Sequence, residues 1–146
     1  MSHIRKKAIE GINLGDSFFV TRKFTEQDMK DFAGITRDYN PVHFNKRFSD
    51  AKSFRDRICH GLLVGSILTE IGGQIGWLAS EMDFKFKKPV YFDDSIECHF
   101  TITHLDDNNK AQARALFKNQ YNEIVLEAFL SGILPGQEEK EIMKTL

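Results

Sequence analysis

Between Gly61 and Leu78 the residues Leu62, Leu63, Ile67, Leu68, Ile71, Ile75 and Leu78 recur at helical spacing, and Val64 and Trp77 widen that stripe until it nearly encircles the segment. A helix that is apolar almost all round must be buried, so the rest of the chain has to wrap it. Gly65, Gly72, Gly73 and Gly76 each cost such a helix about 1 kcal/mol relative to Ala. Their presence implies that a wrapped sheet or a narrow ligand channel comes close enough to require small residues.

The wrapping material follows. Met82, Phe84, Phe86 and Val90 alternate with Asp83, Lys85 and Lys87, and Ile96, Cys98, Phe100 and Ile102 alternate with Glu97, His99, Thr101 and Thr103. This is period two, with one buried face per strand. A turn at Asp106-Asp107-Asn108-Asn109 leads to a strand over 111–118, and Asn119 to Asn122 turns into another over 123–133. Ahead of the helix, residues 17–24 with Phe18, Val20 and Phe24 read as a first strand. Thr25 then caps a helix whose face of Met29, Phe32, Ala33 and Thr36 ends near Asp38. A short helix over 44–51 and a charged loop over 52–57 complete that half, and the charged tail 137–146 reads as frayed or weakly helical. The expectation is an α+β chain: a curled antiparallel sheet wrapped around a long central helix.

Length and composition narrow the function classes. A chain of 146 residues is one domain, 1–146, long enough to bury roughly two-thirds of its unfolded surface. A formal charge of -1 leaves no basic excess for nucleic acid. No stretch is apolar for long enough to insert in a membrane, and the N-terminus lacks the apolar run of a signal peptide. Cys59 and Cys98 form no CxxC and sit in no disulfide framework, so a reducing cytoplasmic location is expected. Thirteen Phe residues suit an apolar pocket or an aromatic-rich core equally well.

Two stretches carry chemistry. In Asp38-Tyr39-Asn40-Pro41-Val42-His43, Asn40 precedes a proline and is pushed towards an extended conformation, so the preceding helix stops and a rigid turn aims Asp38 and His43 at one point. A carboxylate and an imidazole converging on a small volume hold a water, one accepting its proton and the other orienting it or returning a proton, with no metal involved. In the second stretch, His60-Gly61 stands where the long apolar helix begins, and unpaired N–H groups at that end can polarise a carbonyl. The bland alternatives are an Asx turn at Asp38, a loop-packing side chain at His60 and a backward-bonding helical serine at Ser66. His99 and His104, five apart on one strand, point to opposite faces and cannot share a metal from it. Lys46, Arg47, Lys52, Arg55 and Arg57 read as a solvated face, with contact to the phosphates of a ligand as the second reading.

Asp38, Asn40, Pro41, Val42, His43 and Ser49 together resemble the signature of the MaoC-like (R)-specific enoyl-CoA hydratases, also called hydratase 2. Ile58, His60, Gly61, Leu62 and Ser66 resemble the family's second segment, in the expected order and distance, and the resemblance covers about residues 14–134. Arg37 departs from it, since many members carry Gly or an acidic residue there.

The resemblance implies a hotdog fold, a homodimer or dimer of dimers with sheets joined edge to edge, and an acyl-CoA thioester as substrate. It implies reversible (R)-specific hydration of trans-2-enoyl-CoA to (R)-3-hydroxyacyl-CoA, a reaction of fatty-acid metabolism and polyhydroxyalkanoate precursor supply. Asp38 and His43 would be catalytic, the Gly61 amide would bind the thioester carbonyl, and Asn40, His60 and Ser66 would support them. No cofactor or metal is implied beyond coenzyme A or acyl carrier protein as the substrate's carrier. The rivals are a 3-hydroxyacyl-[acyl carrier protein] dehydratase, a hotdog thioesterase and a non-catalytic acyl-thioester-binding subunit.

Overall fold

Period-two sequence in the second half of the chain becomes sheet. In the computed structural model, which describes residues 1–146, the strands are β1 (Ser17–Lys23), β2 (Leu78–Phe86), β3 (Ser95–Leu105), β4 (Lys110–Lys118) and β5 (Ile124–Ile133). They form one antiparallel sheet in the order β1-β3-β4-β5-β2. Ile96, Cys98, Phe100 and Ile102 of β3 face inward, beside Ala111, Ala113, Ala115 and Phe117 of β4. The three alanines on the middle strand leave the concave side room for a helix, and one apolar cluster joins them to Ile67, Leu68, Ile71 and Ile75. Burying each of those aliphatic side chains is worth about 1.5–3 kcal/mol. This is the curled sheet around a helix that the hydrophobic pattern predicts.

The central helix is shorter and less continuous than its stripe suggests. It is divided into α5 (Gly61–Gly65) and α6 (Ile67–Ile75) at Ser66, where ψ is -15° and the Ser66 hydroxyl donates to the Leu63 carbonyl at 2.6 Å. Gly76, at φ +79°, ends it in the left-handed conformation that glycine adopts without a Cβ penalty. Trp77 and Leu78 therefore lie outside the helix, and β2 begins at Leu78 rather than near Met82. One side of α6 is not wrapped, since Thr69 and Gly73 are exposed. The close approach expected of the glycines occurs at Gly65, where a Cβ would lie 2.9 Å from the Phe84 ring. Nothing stands where a Cβ at Gly72 or Gly73 would be, so sterics do not explain those two.

Two terminal helices, α1 (His3–Glu10) and α7 (Gln137–Met143), pack at the far end of α6. Arg5 of α1 donates from Nε to the Gln74 carbonyl at 2.6 Å and from Nη2 to the Gly73 carbonyl at 3.0 Å, satisfying orphan acceptors of α6. Met143 of α7 is buried against the core, so the tail is an ordered helix rather than a frayed end. A bulge between Ile102 and His104 turns Thr103 and His104 outward together. His99 and His104 thus both leave the core, contrary to strict alternation. No helix is long and apolar enough to cross a membrane.

The approach to the motif loop is built by α2 (Glu26–Thr36). Thr25 accepts from the Asp28 amide at 3.1 Å and the Asp28 carboxylate accepts from the Thr25 amide at 2.8 Å, a reciprocal cap. The helix ends at Arg37, whose φ of 62° is left-handed. Glycine fits that conformation freely, whereas a side chain there costs about 1–2 kcal/mol, offset in part by the smaller entropy of the unfolded chain. Arg37→Gly should therefore raise the midpoint of thermal unfolding by about 1–3 °C; calorimetry showing an unchanged or lower midpoint would refute the strain at this cap.

Candidate active site

After Arg37 the chain turns through Asp38 to Asn40 and enters a single helical turn, α3 (Pro41–Phe44), followed by α4 (Lys46–Ala51). Pro41 occupies the first helical position, where its missing N–H costs nothing. The Asp38 carboxylate accepts from the Asn40 amide at 3.1 Å, and the Asn40 side chain accepts from the Val42 amide at 3.2 Å. These two consecutive turns bring the Asp38 carboxylate to 3.9 Å from Nε2 of His43. Ser49, fully buried, donates to the Val42 carbonyl at 2.9 Å and pins α3 against α4.

His43 has a defined tautomer. Its Nδ1 lies 2.8 Å from the Ile58 carbonyl, which can only accept, so Nδ1 carries the proton and the neutral ring presents a bare Nε2 towards Asp38. Burial lowers the His43 pKa below 6.5, against the Ile58 hydrogen bond, which raises it; the neighbouring His60 ring lowers it further and Asp38 raises it. Half of the Asp38 side chain remains in solvent.

His60, almost completely buried, completes the cluster from the other stretch. Its ring stacks on His43 with centroids 3.8 Å apart and planes at 27°, and its Nε2–H donates to the Asp38 main-chain carbonyl at 2.9 Å. Gly61 and Leu62 follow as the first amides of α5, and neither donates to a protein acceptor. The break at Ser66 makes this a one-turn helix, so what it offers a ligand is a pair of free amides rather than the dipole of a long helix.

Asp38, His43, His60 and Gly61 all line a cavity of about 770 Å³. Its walls are mainly apolar, and Phe32, Phe54, Phe86 and Leu126 are prominent among them. Phe32 reads in sequence as a core residue of a helix face, and here it packs on His60 with centroids 5.1 Å apart. Phe86 lies so close to Gly61 that a Cβ there would sit 2.6 Å from its ring, which gives Gly61 a steric reason beyond access for a ligand. The wall from β2 and β5 has no motif and could have been found only from the apolar face of its strands.

Asn40 and Ser66 do not reach the cavity wall. Asn40 acts through the turn, and the hydroxyl of Ser66 is committed to the Leu63 carbonyl. Cys59 does line the cavity, but burial pushes its thiol up to about 12, with Asp94 adding to the effect, so it is not a thiolate nucleophile at neutral pH. Of the basic residues near the loop, Arg57 pairs with Glu26, Lys46 with Asp50, and Arg55 lies over the Tyr91 ring at 3.8 Å.

Ligating atoms of Asp38, His43 and His60 lie within 4.8 Å of one another. Stacked imidazoles, however, send their in-plane lone pairs side by side. A tetrahedral ion about 2.0–2.1 Å from both nitrogens needs those pairs to converge. Nδ1 of His43 and Nε2 of His60 are each committed to a main-chain carbonyl, which leaves one nitrogen per ring free.

The chain belongs to the MaoC like domain family, which it matches over residues 16–123. It is 29% identical over 131 residues to a mitochondrial 3-hydroxyacyl-[acyl-carrier-protein] dehydratase of Arabidopsis thaliana, covering 86% of this chain and 79% of that one. It is 28% identical over 132 residues to an (R)-specific enoyl-CoA hydratase of Rhodospirillum rubrum, covering 88% of this chain and 92% of the relative. In fold it is similar to the (R)-hydratase of A. caviae involved in PHA biosynthesis, with a TM-score of 0.80 at 23% identity, covering 86% of this chain and 99% of that chain. An R-hydratase from Pseudomonas aeruginosa gives a TM-score of 0.79 at 21% identity, over 87% and 84% of the two chains. These likenesses establish the hotdog fold of MaoC-like hydratases for this chain.

The depressed His43 pKa has two consequences of fixed sign. The unfolded chain takes up a proton near pH 6.5 that the folded chain resists, so this residue's contribution to stability is full above 6.5 and is lost as pH falls below it. NMR titration should find the His43 ring protonating with a midpoint below 6.5; a midpoint at or above 6.5 would contradict the burial argument.

Proposed function

We propose that the chain is a hydro-lyase that adds water reversibly to trans-2-enoyl-CoA, giving the (R)-3-hydroxyacyl-CoA. The observation that carries this reading is the placement of the Asp38 carboxylate and the bare Nε2 of His43, 3.9 Å apart, on the wall of an apolar cavity that also holds the free amide of Gly61. The relatives named as hydratases and dehydratases support it.

The thioester carbonyl accepts a hydrogen bond from the Gly61 amide, which draws electron density from the conjugated double bond and leaves C3 electrophilic. Water sits between Asp38 and His43, one O–H directed at each acceptor. As its oxygen bonds to C3, Asp38 takes the proton as base, His43 orients the water, and the double-bond electrons move onto the carbonyl oxygen as an enolate. The pair then returns a proton to C2, so the sum is one water added and the protein is unchanged. Because the two groups share the proton during the reaction, the roles of base and acid are held by the pair. Both steps occur on the side of the substrate that faces the pair. Asn40 supports the reaction by shaping the turn, and Ser66 by setting the length of α5.

The reaction requires no metal or dissociable cofactor in this scheme. Asp38→Asn and His43→Ala should each lower the rate of crotonyl-CoA hydration by about 10³-fold or more while leaving the circular dichroism spectrum unchanged. Chelators should have no effect on the wild-type rate. Near-normal turnover in either variant would refute the assignment, as would loss of activity with EDTA that a metal restores.

A second reading is favoured by the Arabidopsis relative: the same carbon chemistry on an acyl carrier protein thioester. Turnover of matched CoA and carrier-protein substrates distinguishes the two. A thioesterase would need a nucleophile or an activated water aimed at the carbonyl carbon, which the protonated Cys59 does not supply. A non-catalytic acyl-thioester-binding subunit would have no use for the intact pair.

We also propose that the active form is a homodimer. β2 pairs only with β5, and Leu78, Met82 and Phe86 on this edge strand are all exposed, at 74%, 40% and 56%. An unpaired apolar edge invites a second strand, and two copies of β2 related by a two-fold axis would satisfy each other. Light scattering should give twice the chain's 16.8 kDa, or four times it for a dimer of dimers; a monomer at micromolar concentration would contradict the proposal.

A further inference from the structure

We propose that His60 is a positioning residue for the acid–base pair, holding both of its members rather than merely packing the loop. The proposal rests on the hydratase reading of the site. His60 stands at the N-cap of α5, a position where a short polar side chain usually accepts from the helix amides, yet it makes no such bond. Its ring is turned the other way, and Nδ1 is buried without a partner. An uncapped helix start and an unpaired buried polar atom each cost stability. Two such sacrifices at one residue mark a place where local stability has been given up for something else.

What the orientation secures is contact with both halves of the pair. Nε2–H binds the Asp38 carbonyl at 2.9 Å, fixing the main chain from which the carboxylate projects. The ring face lies on His43 at 3.8 Å, and the Ile58 carbonyl holds the edge of His43 at Nδ1. With its plane and its edge both fixed, His43 can direct Nε2 only at Asp38. Phe32 and Phe44, with centroids 5.1 Å and 6.2 Å from the His60 ring, close its remaining sides and prevent it from swinging away. The polarity of His60 also opposes a positive charge on His43, while the facing Asp38 carboxylate favours one.

Two replacements separate the functions. His60→Phe keeps a ring against His43 and loses the donor to Asp38, whereas His60→Gln keeps a donor of similar reach and loses the stacked ring. For the full-length protein, each should lower kcat on crotonyl-CoA by about 10–100-fold, with KM changed less than about threefold. The acid limb of kcat/KM should move to higher pH in both variants, since each removes the imidazole that opposes a positive charge on His43. Folded variants with wild-type kcat and an unmoved acid limb would overturn the proposal. Independently of turnover and of variant folding, nitrogen NMR of the wild-type protein should find His60 protonated at Nε2 and bare at Nδ1; the opposite tautomer would overturn it. If the wild-type protein hydrates no enoyl thioester, the hydratase reading fails, and the tautomer still decides whether His60 holds Asp38.

Discussion

The 3.9 Å between the Asp38 carboxylate and Nε2 of His43 is the distance on which the proposed chemistry depends. Four residues separate the two positions, and an unbroken helix or strand through them would not hold both groups on one water. The chain achieves it by ending α2 in a left-handed residue, taking two Asx-type turns in succession and starting α3 on a proline. Each device is local and short-ranged. The Ile58 carbonyl, the His60 ring and the buried Ser49 hydroxyl then tie the result to the rest of the molecule.

The scaffold answers a different demand. The proposed acyl substrate needs a dry slot beside a polar corner, and the apolar interior of a sheet wrapped on a helix supplies a slot where packing is left incomplete. Phe84 and Phe86 on the edge strand lie against Gly65 and Gly61, their rings stacked 6.1 Å apart, so small residues on α5 and large ones on β2 form one wall. A side chain larger than hydrogen at Gly61 would displace that wall next to the amide proposed to hold the carbonyl. Packing and the proposed chemistry thus constrain the same glycine.

Much of this was legible in the sequence because the signals were periodic or chemical. Alternation placed β1, β3, β4 and β5 to within a residue or two, since each has one face in the core. The two motif stretches identified Asp38, His43, His60 and Gly61, and the structure brings all four to one cavity. What escaped was set by tertiary context. α1 has a weak apolar stripe and is held by Arg5 reaching across to α6, a contact no local pattern encodes. α7 reads as a charged tail because one residue, Met143, anchors it. The helical stripe ran on through Trp77 and Leu78, whose hydrophobicity serves a strand and a core contact after Gly76 has ended the helix. The bulge near His104 leaves no compositional trace. The bonds made by Ser66 and Asn40 are those of ordinary helix and turn serine and asparagine, so their type alone could not place them away from the cavity wall.

In the proposed mechanism the base and the proton donor share one wall, so water adds across the double bond from one side. Hydration of crotonyl-CoA in deuterium oxide, followed by chiral analysis of the product and NMR of the position at C2, tests this directly. One deuterium at C2, on the same face as the new hydroxyl, in an (R)-3-hydroxy product is the expected result. Addition to opposite faces, an (S) product, or release of free coenzyme A in place of hydration would contradict it.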